Sequence, residues 1–344
     1  MPDRRGDGGS ARGDVVTRLA RTAGALGRIL LRGAAALALV AASAPRAVGQ
    51  DPVGLITHQT DTNSVRLLRN ANVRHVKTTL YWDQWVADAA YRSTFAAGIQ
   101  RLSTAKFEIT VVVHAPPAGS SYDTREQVYR AFADFVGARA TQFTAVRNWQ
   151  LWNEQDAPGW TDVFGMGRGV SVREQGRNYA AMLNLASPRI KASNRRALVV
   201  VGGLAGPDDS TRAFLQGIYD ARGAFDVLAV HAYGPPIVVA ARARGTILRQ
   251  TMAANGDQRP LWLTEFGIEG PVMANLWGIT APDSQDVRQR DEWRDVATWN
   301  DQSRTYQRIV GYVLYDVTDY GYGIVRKDKV TLRPAYLWLQ QRNR

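Results

Sequence analysis

The chain predicts an α/β fold, a single (β/α)8 barrel, on three observations. Eight short runs rich in Val, Ile, Thr and aromatic residues recur between residues 53 and 317, with helical patterns between them. Each run is apolar on both faces, as a parallel strand covered on both sides must be. The alternation extends over about 290 residues without a repeat, heptad run or flexible linker, which suits the usual size of one such barrel. A doubly wound open sheet is the competing architecture, and it would place a glycine-rich phosphate turn after an early strand. Here GMGRG at 165–169 follows no strand, and the Gly202-Gly203 pair comes only after the fifth.

The first fifty residues stand apart. They hold eight Arg and three Asp, an apolar stretch GAAALALVAASA at 33–44, then PRAVGQ. A basic lead, a short apolar core and small residues before a cut form the pattern of a secretory signal, with cleavage expected after Ala44 or Gly49. Residues 1–49 are thus expected to be a signal peptide or secretory segment, and 50–344 the folded domain. The apolar stretch is short for a bilayer span. A disordered tail or a single membrane anchor is the alternative. The expected destination is outside the cell, in the periplasm or in the cell envelope.

The strand runs are VGLITHQ (53–59), HVKTTLYW (75–82), EITVVVH (108–114), NWQLWNE (148–154), ALVVVGGL (197–204), VLAVHAY (227–233), LWLTEFG (261–267) and GYVLYDV (311–317). Among the helices, Ser171 to Ile190 opens with a capping box, Ser171 and Glu174, and sets Tyr179, Met182, Leu183, Ala186 and Ile190 on one stripe. Asp123 to Gly137 does the same with Val128, Phe132, Phe135 and Val136. A long loop follows the seventh run, from Ile268 to roughly Gln285.

Composition excludes several chemistries. With no cysteine, disulfides, thiolate metal sites and a thiol nucleophile are ruled out. The four histidines, His58, His75, His114 and His231, are far apart and form no metal-binding spacing, so neither metal nor cofactor is expected. The formal charge is +12. Five of those charges belong to the first fifty residues, and the other seven are spread along the chain without basic runs. That distribution argues against nucleic acid and leaves an acidic polysaccharide or anionic surface as a candidate neighbour.

Chemistry in such a barrel belongs at the carboxyl ends of the strands. The runs end in His58, Trp82, His114, Asn153-Glu154, His231 and Tyr233, Glu265, and Tyr315-Asp316. Glu154 closes the fourth run and Glu265 the seventh. These strands lie on opposite sides of the mouth, so the two carboxylates can face each other across a substrate. An ionised carboxylate ending an apolar strand is costly unless it is paired or used. Two of them about 5 to 5.5 Å apart would suit glycosidic cleavage with retention, and a longer gap would suit inversion.

The combination of Asn153-Glu154 after the fourth strand, His231-Ala232-Tyr233 after the sixth and Glu265 ending the seventh resembles the retaining glycoside hydrolases built on TIM barrels, the clan A superfamily of cellulases, mannanases and xylosidases. The final RPAYLWL, 333–339, is similar to their last helix. The resemblance covers nearly all of the chain after the N-terminal segment. It implies Glu154 as acid/base, Glu265 as nucleophile, Asn153 as partner of the sugar 2-hydroxyl and Tyr233 as the group orienting Glu265. One position departs: where such enzymes commonly carry Arg on the second strand, this chain has Lys77, which can support a carboxylate as a point charge but not as a bidentate fork. His114 and His231 are further candidates for sugar binding. Trp82, Trp160, Trp277 and Tyr315 are candidates for stacking on sugar faces, Trp82 and Trp160 first. Asp83 and Asp316 read as loop or capping carboxylates. The expected partner is a carbohydrate, with an acidic polysaccharide among the candidates. A noncatalytic polysaccharide-binding barrel and a transglycosylase sharing the site remain alternatives.

Overall fold

The computed structural model describes residues 52–114, 116, 122, 124–157, 169–206, 208–316 and 321–344. The expected secretory segment lies outside these residues, as does Trp160. Eight strands form one parallel sheet: β1 (Gly54–Ile56), β2 (His75–Tyr81), β3 (Glu108–His114), β4 (Asn148–Leu151), β5 (Leu198–Val201), β6 (Leu228–Tyr233), β7 (Leu261–Gly267) and β8 (Arg308–Gly311). Their order is β5-β4-β3-β2-β1-β8-β7-β6. The ends of that row meet through two parallel bridges, Val200 with Val227 and Leu204 with Val230, which close the ring. The predicted (β/α)8 barrel is the observed fold.

Ten helices occur among the described residues: α1 (Thr62–Asn70), α2 (Trp82–Ala87), α3 (Ala89–Thr104), α4 (Arg125–Gln142), α5 (Val172–Ser193), α6 (Asp208–Asp220), α7 (Ile237–Ala254), α8 (Gly270–Trp277), α9 (Pro282–Ser303) and α10 (Pro334–Arg342). Local sequence sets their starts. Ser171 caps α5 by accepting from the Glu174 amide, which is half of the predicted box, while the Glu174 carboxylate accepts from Arg177 at 2.8 Å. Thr124 and Gln127 form the reciprocal box that opens α4. None of the described helices is long and apolar enough to cross a membrane.

Alternation along each strand divides the apolar residues into two layers. On β2, Val76 and Leu80 join the large core between sheet and helices, whereas Lys77, Thr79 and Tyr81 point into the barrel. Val200, Val227, Ala229 and Trp262 form a separate packed layer in the barrel interior, and Ile56 and Val310 belong to another. This parity corrects the expectation for Trp82. β2 ends at Tyr81, so Trp82 begins α2 and turns outward, 3% exposed and stacked at 5.5 Å on Phe135. Strand eight is corrected likewise. It spans Arg308–Gly311 and leaves most of the predicted run 311–317 beyond its end. Tyr315 is consequently buried on the α1 side, where its hydroxyl accepts from Asn63 and Ser64.

Candidate active site

The side chains at the carboxyl ends of the strands surround a cleft of about 860 Å3. Glu154 reaches it through a sharp turn. β4 stops at Leu151, and both Trp152 (φ +72) and Glu154 (φ +49) take the left-handed conformation, uncommon for residues with a Cβ. The Glu154 amide donates to Gly203 O at 3.2 Å, and its Oε1 lies 2.7 Å from His231 Nδ1.

Glu265 enters by a different device. Leu261 and Leu263 face the helices and Trp262 the barrel interior, so strict alternation would turn Glu265 outward. A register shift intervenes: Val230 pairs with Leu263, but the next residue, His231, pairs with Glu265. The extra residue on β7 reverses the parity and aims Glu265 into the cleft, a use of irregular pairing common beside active sites.

Five side chains then lock together. Lys77 Nζ donates to Glu265 Oε1 at 2.8 Å and to Thr264 O at 3.2 Å, and Tyr233 OH donates to Glu265 Oε2 at 2.6 Å. His231 Nε2 lies 3.5 Å from Lys77 Nζ. A carboxylate oxygen accepts, so Nδ1 carries the proton that His231 gives to Glu154. Burial alone would raise the Glu265 carboxyl, but neighbouring His231 and Lys77 and the hydrogen bonds from Lys77 and Tyr233 outweigh it and hold it at about 2. Burial pulls the Lys77 ammonium down, against the pull of the glutamates. An oxygen of Glu154, an oxygen of Glu265 and a nitrogen of His231 all lie within 4.8 Å of one another. Such a trio could bracket a metal ion, yet Lys77 already places a positive charge against Glu265 and would oppose a second cation.

Among solved structures, a glucosidase from Croceicoccus marinus is similar at a TM-score of 0.63 and 13% identity, over 86% of this chain and 67% of that one. A family 1 β-glucosidase from Thermotoga maritima gives 0.58 and 11%, over 81% and 85% of the two chains. The virulence factor SghA from Agrobacterium tumefaciens gives 0.59 and 11%, over 82% and 84%. The barrel is shared with these proteins. The chain matches no family model and no curated protein by sequence.

Of the residues singled out in the sequence, Glu154, Glu265, Asn153, His114 and Tyr233 line the cleft, with Lys77 and His231 directly beneath. Burial holds the His114 imidazole down at about 4, against the opposing pull of Asp83 and Glu265, and its ring meets Tyr81 edge-on at 5.1 Å. Trp82 and Tyr315 belong to the core as described. Trp277, partly buried under the Arg288 guanidinium, does not line the cleft either. Their places on the wall are taken by Tyr81, Tyr312 and Tyr322. Tyr312 and Tyr322 pack edge-on at 5.4 Å and both meet Tyr233. The signal for Tyr81 and Tyr312 was present in the alternation, one and three residues before the aromatics chosen. Asp83, read as a loop or capping carboxylate, also lines the cleft, and its Oδ1 is buried without a hydrogen-bond partner among the described residues.

Proposed function

We propose that the protein is a retaining glycoside hydrolase. The observation that carries this reading is that an oxygen of Glu154 lies within 4.8 Å of an oxygen of Glu265 across the cleft, the two carboxylates being held in unlike surroundings. Inverting enzymes separate their carboxyl groups by about 6.5 to 9.5 Å to seat a water, whereas retaining ones keep them at about 5 to 5.5 Å. Glu265, ionised and fixed at both oxygens, attacks the anomeric carbon to form a glycosyl ester. The bond to the leaving oxygen breaks as Glu154 protonates that oxygen. Water then gives a proton to Glu154 and attacks the same carbon, releasing Glu265. Because His231 engages Oε1 of Glu154, the other oxygen remains to carry the exchanged proton.

The cleft also informs substrate class. Among the described residues its lining has three carboxylates, Asp83, Glu154 and Glu265, and no Lys or Arg. A uronic or sulfated sugar would meet that field unfavourably, so a neutral or amino-bearing poly- or oligosaccharide fits better than an acidic one. Residues 1–49 are read as a secretory segment on composition alone, and sequencing the amino terminus of exported protein tests that reading.

The deciding experiment is release of reducing ends from neutral, amino-bearing and acidic polysaccharides by wild type, Glu154→Gln and Glu265→Gln, with azide added to the corresponding alanine variants. Cutting by wild type, losses of at least about 10²-fold in both variants, and glycosyl azides of opposite anomeric configuration from the two alanine variants are expected. Transfer products outnumbering hydrolysis would move the reading to a transglycosylase. Binding without bond cleavage, unchanged in the variants, would establish a noncatalytic polysaccharide binder.

A further inference from the structure

Six of the positive charges scattered through the sequence are brought to one end of the barrel by the topology. Every segment leading from a helix into the next strand lies at the end of the barrel opposite the cleft. Those segments carry Arg74 before β2, Lys106 before β3, Arg147 before β4, Arg195 and Arg196 before β5, and Arg222 before β6. All six are exposed, and none has an ion-pair partner among the described residues. The acids of the same end are treated differently. Glu108, Asp226 and Asp257 are each partly buried and paired at 2.7 to 2.8 Å, with Arg308, Lys191 and Arg259. The face therefore shows solvent a surplus of cations with its anions neutralised. At the other end the strand-to-helix segments hold Asp61, Asp88, Glu154 and Glu269, and the first turns of α2 and α6 hold Asp83 and Asp208, against Lys327 and Lys329 before α10, so charge is polarised along the barrel axis.

We propose that this basic face docks the protein on an anionic lipid surface, leaving the cleft turned away from it. The arrangement of the cations selects the occupant. β2 through β5 are successive neighbours in the ring and β6 follows across the closing bridges, so the six residues trace an arc over more than half of the rim. One linear polyanion engages charges in file, whereas a plane of phosphate headgroups meets the whole arc together. Each basic residue held near such a surface strengthens partitioning by roughly fivefold, and the attraction fades within a Debye length of about 10 Å at ordinary salt. This assignment is independent of the chemistry in the cleft and stands or falls without it.

The test is co-sedimentation of the full chain with phosphatidylcholine vesicles, with and without a quarter of phosphatidylglycerol, at rising salt. One variant changes Lys106, Arg147, Arg195 and Arg196 to Gln. A matched control changes four exposed arginines of the helices, Arg66, Arg130, Arg212 and Arg242, to Gln. Circular dichroism melts confirm that both fold. Wild type and control are expected to pellet with the anionic vesicles and be released by salt, while the first variant partitions more weakly by roughly 10²-fold or more. Equal binding to pure phosphatidylcholine, or equal loss in the control, would overturn the proposal. Capture by inorganic polyphosphate without vesicle binding would overturn it as well, and assign the face to a soluble polyanion.

Discussion

His231 donates to Glu154 at 2.7 Å through one ring nitrogen while Gly203 presses against the other, where an added Cβ would lie 1.9 Å from Nε2. The ring has no room to retreat, since Lys77 stands beyond it. Gly203→Ala is expected to displace the imidazole, release Glu154 from its orientation and lower kcat by about 10- to 100-fold. Steady-state kinetics beside a thermal melt check this. An unchanged kcat in a folded variant would remove His231 from the positioning of Glu154.

Lys77→Met strips Glu265 of its closest cation while leaving the shape of the buried chain nearly intact. Because Glu265 is held at about 2 against an ordinary 4.5, its pairing stabilises the fold above pH ~4.5 and is lost as pH falls toward 2. In the variant, burial wins and the carboxyl rises. The acid limb of kcat/KM should move upward with it, and activity near neutrality should fall by about 10²-fold or more. A full pH–rate profile of both proteins reads the shift, and an unmoved acid limb would count against Glu265 as the nucleophile.

His114 gives a pH signature in stability. Its folded value, about 4, lies below the ordinary 6.5, so the unfolded chain binds the additional proton between these limits and the fold weakens as pH drops from 6.5 to 4. The effect amounts to at most about 3 kcal/mol. His114→Gln should flatten the melting temperature across that window relative to wild type. If the two curves run parallel, the imidazole is not held neutral by its surroundings.

Arg333 acts at a distance on the cleft wall. Its guanidinium donates to Gly321 O, Gly323 O and Asp316, with Asp286 at 3.2 Å, and Gln289 donates to Tyr322 O at 3.0 Å. These bonds hold the segment that puts Tyr322 against Tyr312 and Tyr233. Arg333→Met leaves Asp316 buried without its cation, while Asp286 keeps Arg326 at 2.6 Å, so a loss of about 3 kcal/mol in stability is expected. Tyr322→Ala tests the wall without that penalty, and its KM should rise several-fold while kcat changes less. A rise in neither parameter would mean that Tyr322 does not contact substrate.

The architecture and both glutamates were legible because they rest on local signals. Apolar runs with helical periods between them specify the barrel, and a carboxylate ending an apolar strand is conspicuous. What escaped depends on parity and register. Trp82 and Tyr81 are adjacent, and only the observed end of β2 decides which faces the cleft. The start of strand eight carries Arg308 and Gln307, which look like loop, although Arg308 lies over Trp262 and pairs with Glu108. The bulge that turns Glu265 inward has no glycine or proline to mark it. Gly203 was visible only as one of a glycine pair, and the ring that needs it lies on another strand.

The ring of strands is completed by two bridges on either side of the Gly202-Gly203 pair, and that join lies between the segments holding Glu154 and His231. A bond from one carboxylate to the ring across the join therefore serves as a stitch in the barrel wall. Occupancy of the cleft and breathing of the wall become coupled: a sugar gripped by both glutamates should slow amide hydrogen exchange at Leu204 and His231 more than in strands remote from the join. Loss of the His231 imidazole should in turn make this the first place where the closed cylinder opens toward a sheet with free edges.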